Sequence, residues 1–141
     1  MFRILGILSG EVEKFEGPAS LFRNKFGELV SSRVIYSAKQ RAKNNSLDYD
    51  LSTEWGILKY TGRCELTGIP FYISDNGVMN PFSPSLDKID PKKGYTKDNC
   101  RFILVAINSF KNNMLDVEMY KLIKLIHLNL VKTQEKNDVC T

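Results

Sequence analysis

The sequence predicts an α+β fold, a hairpin followed by a short helix, braced by a long N-terminal helix and a hydrophobic C-terminal helix. Two β-prone runs carry the hairpin. Ser85-Leu86-Asp87-Lys88-Ile89-Asp90 and Cys100-Arg101-Phe102-Ile103-Leu104-Val105 are separated by a turn-rich loop, Pro91 to Asn99, with Gly94 at its centre. Apolar residues at Ile107, Phe110 and Met114 then switch to helical spacing. The flanks, 21–45 and 117–132, repeat apolar residues with the same period.

A chain of 141 residues suits one domain around one core. We divide it into an N-terminal arm and basic helix (1–46), a core (47–113), a hydrophobic C-terminal helix (114–132) and a flexible polar tail (133–141). A hydrophobic fraction of 43% is too high for general disorder. No apolar run approaches the ~18 residues of a membrane span. The opening MFRILGILSG is too short for a signal peptide and reads as a strand or surface arm. The net charge of +4 allows a nucleic-acid partner without requiring one. Cys64, Cys100 and Cys140 make neither a disulfide framework nor a zinc site, so a reducing, cytoplasmic setting is expected, with the core held by packing alone.

In order along the chain, Gly17-Pro18-Ala19-Ser20 reads as a turn, with Pro18 at a helix start. In the helix that follows, Phe22, Phe26, Leu29, Val30, Val34 and Ala38 lie near one face. Between Arg23 and Lys43 it carries six basic residues (Arg23, Lys25, Arg33, Lys39, Arg41, Lys43) against one acid, Glu28. This is either a solvated face or a phosphate-contacting one. Leu47–Leu51 alternates as a short strand or extended link. Ser52 is the expected N-cap of a helix in which Trp55, Leu58 and Tyr60 pack on the core. Cys64 to Phe71 reads as a tight turn into a strand, Phe71-Tyr72-Ile73, followed by a loop over 74–83. Asp116 is placed to cap the last helix, whose apolar surface is wider than one stripe, so it is either buried on several sides or paired with a second copy.

Asp87-Lys88, Gly94-Tyr95-Thr96, Asn99-Cys100-Arg101 and Asn108, preceded by Cys64-Glu65-Leu66-Thr67-Gly68-Ile69-Pro70-Phe71, resemble the HNH (ββα-metal, His-Me finger) nucleases. The likeness is to a phage and restriction-type subgroup with Lys or Arg in place of the general-base His. It runs from about Leu47 to Asn113. It implies that Asp87 and Asn108 bind one divalent cation, Mg²⁺ or Mn²⁺, with no structural zinc. It also implies that Lys88 stands where the base would be, that Asn99 stands where a residue orients that base, and that the source is a phage or prophage.

Taken singly, Asp87 is an ordinary strand residue and Asn108 an ordinary polar helix residue. Together they make an oxygen pair suited to a hard cation. A Lys88 that keeps its charge would hold a phosphate, as would Arg101 and Lys111. Arg33, Lys39, Arg41 and Lys43 complete the expected nucleic-acid contacts. The proton acceptor is left open among Glu65, a nearby Tyr, a phosphate oxygen and solvent. His127, in the apolar last helix, reads as a packed or surface residue. The expected function is metal-dependent hydrolysis of DNA, with RNA as an alternative substrate and a homodimer through the last helix. The competing expectations are an inactive DNA-binding module and a host-interaction protein that reuses the fold.

Overall fold

A computed structural model describes the backbone of residues 19–74 and 78–139, and side chains over 32–74 and 78–136. The N-terminal arm, the turn at Pro18 and the expected core positions Phe22, Phe26, Leu29 and Val30 fall outside the described residues or side chains. The elements are α1 (Ala19–Asn44), α2 (Thr53–Lys59), β1 (Pro84–Lys88), β2 (Cys100–Leu104), α3 (Val105–Lys111) and α4 (Asp116–Val139).

Strands β1 and β2 form an antiparallel pair, with Leu86 opposite Phe102, Asp87 opposite Arg101 and Lys88 opposite Cys100. Because side chains alternate along a strand, the hairpin has two working faces. Leu86, Cys100 and Phe102 pack with Ile35, Ala38 and Ala42 of α1 and with Leu51, Tyr60 and Tyr95. Ile103 and Leu104 pack with Cys64 in a smaller cluster backed by Leu66, Ile69 and Ile107. Asp87 and Arg101 are buried between strand and helices, where an apolar pair would be expected.

Capping residues set several of these boundaries. The Ser52 hydroxyl accepts from Trp55 N at 3.2 Å and starts α2. Trp55 stacks on Phe102 with ring centroids 6.3 Å apart, and Tyr60 meets the same ring edge-on at 5.5 Å. Leu58 does not join them. It is 86% exposed, on the opposite side of the short helix.

No strand forms over Phe71–Ile73, where the backbone makes only single bonds to separate segments and no continuous ladder. Phe71 N donates to Gly62 O and Tyr72 N to Phe82 O. The Leu47–Leu51 segment is an extended link with one bridge, Tyr49 to Tyr95. Asp116 does not cap α4. Its carboxylate turns to Arg101, while Glu118 accepts from Leu115 N at 2.7 Å, the glutamate half of a capping box. Helix α4 also runs on to Val139, through the segment expected to be a flexible tail. That stretch contains no Gly or Pro to stop it.

Candidate functional site

A pocket of about 300 Å³ opens where the end of α1, β1, the Pro91–Asn99 loop and α3 meet. Arg41, Asp87, Lys88, Tyr95 and Asn108 all line it. Hairpin and helix therefore bring together an acid and an amide that lie far apart along the chain.

Asp87 is 3% exposed, and both of its oxygens are engaged. Oδ2 accepts from Arg101 Nε at 2.9 Å and lies 2.8 Å from Nη2. Oδ1 accepts from Lys111 Nζ at 2.8 Å. Arg101 also forks onto Asp116, with Nη1 donating at 2.7 Å and Nη2 at 2.5 Å. The hydrogen bond from Arg101 holds the Asp116 carboxyl below the usual aspartate value of 3.8, helped by the charges of Arg101 and Lys111. For Arg101, burial works against the charge, but the two carboxylates outweigh it and push its pKa upward. Two carboxylates and two cations thus form a closed, neutral cluster. Buried charges persist when paired and hydrogen-bonded in this way.

Arg101 and Lys111 are therefore not placed for phosphate. Arg101 is buried against two carboxylates, and Lys111 is 0% exposed beneath Asp87. The helix period gave one clue to Lys111. It lies four residues after the half-buried Ile107 and three after Asn108, on the inner face of α3. For Arg101 the clue was its place inside a β-prone run that is buried throughout.

Lys88 Nζ donates to Pro91 O at 2.7 Å and Lys93 O at 3.0 Å, and lies 5.2 Å from the centre of the Tyr95 ring. It clamps the loop and keeps one N–H for another acceptor. Asn99 lies inside that loop. Its Oδ1 accepts from Asp90 N, and its Nδ2 donates to Asp90 O and Gly94 O. This makes it a loop clamp, and it does not line the pocket. Asn108 Nδ2 donates to Ser85 Oγ at 2.7 Å and Leu86 O at 3.1 Å. A carbonyl only accepts, so the Leu86 contact fixes the amide orientation and leaves Asn108 Oδ1 without a partner among the described residues.

Arg41 is the member of the basic helix that lines the pocket. Its Nε donates to the Tyr95 hydroxyl at 2.9 Å, and the guanidinium lies 5.4 Å from the ring centre. Arg33, Lys39 and Lys43 are exposed. At 3.6 residues per turn, Lys39 and Lys43 border the other edge of the stripe formed by Ile35, Ala38 and Ala42, and Arg33 points away from it. The basic residues surround α1 and do not form a single stripe. Glu65, one candidate proton acceptor, accepts from Phe102 N at 2.8 Å and pairs with Lys59 at 3.0 Å. Neither it nor His127, exposed on α4, lines the pocket.

The resemblance implies a divalent cation between Asp87 and Asn108, and the arrangement does not fit one. Asp87 is already neutralised by two cations. Among the described residues no three His, Cys, Asp or Glu side chains converge as a metal-binding group. A hard dication needs more uncompensated oxygen charge than one unpartnered amide carbonyl supplies.

No family model matches the sequence, and no curated protein matches it. Among solved structures, the chain is similar to the rare-cutting HNH restriction endonuclease PacI, whose structure is described for its DNA perturbation. The TM-score is 0.52 and the identity 17%, over 68% of this chain and 75% of that one. Hairpin, loop and following helix, with helices around them, make a fold similar to that of this HNH endonuclease.

Proposed function

We propose that this protein is an HNH-type endonuclease that acts on phosphodiester bonds in DNA, with a backbone phosphate seated in the pocket between α1, β1 and α3. The observation that carries this is the convergence of Arg41, Lys88 and Asn108 on that pocket within an HNH-family fold. Arg41 has spent Nε on Tyr95, and its terminal nitrogens remain to bind phosphate oxygens as a fork. Lys88 adds a charge held in place by the loop carbonyls. Asn108 Oδ1 can orient a water. Positioned cations of this kind stabilise charge that develops on a phosphoryl group. DNA is the favoured substrate and RNA the alternative.

The neutralised Asp87 supports a second reading, in which the pocket binds DNA without cutting it. A nicking assay on supercoiled plasmid, in Mg²⁺, Mn²⁺ or EDTA, separates the two, with Asn108→Ala and Arg41→Ala as controls. Cleavage by the wild type that both variants lose supports the endonuclease. A salt-dependent gel shift without cleavage supports the binding protein. Cleavage that survives in both variants, or no DNA interaction at all, overturns the pocket assignment. We also propose that a homodimer forms through α4, whose apolar residues from Leu122 to Val131 are exposed in the single chain.

A further inference from the structure

Lys111 is buried with its ammonium held by oxygens alone. Its ammonium is 0% exposed and meets three oxygens: Asp87 Oδ1 at 2.8 Å, Lys88 O at 2.5 Å and Ile89 O at 3.3 Å. Asp116 Oδ1 lies beyond these at 3.8 Å. One carboxylate and two backbone carbonyls, gathered around a point inside the fold, are the donors that a hard cation takes. An ammonium has three N–H donors and no acceptor, so the three near oxygens satisfy it fully. We propose that Lys111 is the resident cation of this site: its ammonium fills an oxygen cage that would otherwise attract a divalent ion.

Three features support this. The cage is built from the end of β1 and the residue after it, while its occupant comes from the last turn of α3, so the lysine joins helix to strand as a bound ion would. With Arg101, Lys111 balances Asp87 and Asp116, and a dication added without displacing either would meet repulsion. Displacing Lys111 would strand a charge attached to a short, packed helix, far from water. The inference goes beyond the endonuclease proposal and holds whether or not the chain cuts DNA.

The test uses the full chain and Mn²⁺ alone, followed by the electron paramagnetic resonance signal of the free aqueous ion. The wild type should leave that signal unchanged at millimolar concentration. Its side-chain ammonium ¹H–¹⁵N spectrum should show one slowly exchanging lysine that is lost in Lys111→Arg and unmoved by Mg²⁺. Lys111→Ala opens the cage, so Mn²⁺ should now bind and raise the melting temperature of that variant relative to its own EDTA control. Binding of Mn²⁺ by the wild type, or displacement of the protected ammonium by Mg²⁺, overturns the proposal. So does a folded Lys111→Ala that gains no binding. If that variant fails to fold, the two wild-type measurements decide. DNA cleavage is not a readout, so failure here is distinct from failure of the endonuclease proposal.

Discussion

Arg41 Nε donates to the Tyr95 hydroxyl at 2.9 Å, joining the C-terminal turn of α1 to the loop that separates β1 from β2, 54 residues away. The same ring lies 5.2 Å from Lys88 Nζ. Tyr95 therefore sets the positions of both cations proposed to hold phosphate. Tyr95→Phe keeps the ring and removes the hydroxyl. Denaturant unfolding should show a loss of about 1 kcal/mol, the usual net value of one hydrogen bond. DNA affinity in gel shifts should fall as well, because Arg41 loses its anchor. Unchanged affinity would mean that Arg41 does not contact DNA from this position.

Gly94 is required for space and not for backbone conformation. A Cβ placed there would overlap the Asp48 carbonyl, a main-chain group that cannot swing aside. The contact belongs to the pairing of the Leu47–Leu51 segment with the loop, in which Tyr95 N donates to Asp48 O at 2.8 Å. Gly94→Ala should push the two segments apart and destabilise the protein by about 1–3 kcal/mol, as overpacking does. The midpoint of urea unfolding measures it. An unshifted midpoint would show that the two segments can separate freely.

The hairpin and its helix were legible because their signals are local. A β-prone run changes to helical spacing within a short stretch, and the glycine-centred loop marks the turn. That placed Asp87 and Asn108 at one pocket. What those residues do there was not legible, because the partners of Asp87 come from Arg101 and Lys111, 14 and 24 residues away. A basic residue read alone defaults to solvent, and only the tertiary pairing buries these two. The resemblance supplied an order of functional positions, but it did not show that Asp87 would be neutralised. Leu58 and the Phe71–Ile73 segment misled for the converse reason. An apolar or β-prone residue next to core residues need not share their face or find a strand partner.

Asp116 gives the fold an acid limit. Its folded-state pKa lies below 3.8, chiefly because Arg101 hydrogen-bonds to it. The unfolded chain takes up this proton first as the pH falls. The stability contributed by Asp116 is therefore complete above the ordinary aspartate range and is lost as the pH drops through the lower folded value. Stability measured by urea unfolding should decline below about pH 4, where aspartates begin to protonate. In Asp116→Asn the protein should be less stable at neutral pH and its acid decline shallower. Parallel pH profiles for the two proteins would show that Asp116 does not carry this linkage.

Helix α4 continues a core stripe into solvent. Met119 is 1% exposed, yet Leu122, Ile123, Ile126 and Leu130 continue its helical spacing with exposures of 37%, 42%, 40% and 59%. One helix cannot bury that stripe on itself, and no helix among the described residues is long and apolar enough to cross a membrane. A second copy of α4 presents the same stripe, so pairing two copies covers both at once. We expect dimers in sedimentation at micromolar concentration. Ile126→Ala should weaken association by about 2 kcal/mol, roughly thirtyfold in Kd, because both copies lose a side chain that pairing would finish burying. Leu122→Lys should give monomers while leaving the helix-forming tendency and the body of the fold intact, as circular dichroism would show. If the wild type sediments only as a monomer, with and without DNA, α4 does not self-associate and its apolar stripe must be covered in some other way.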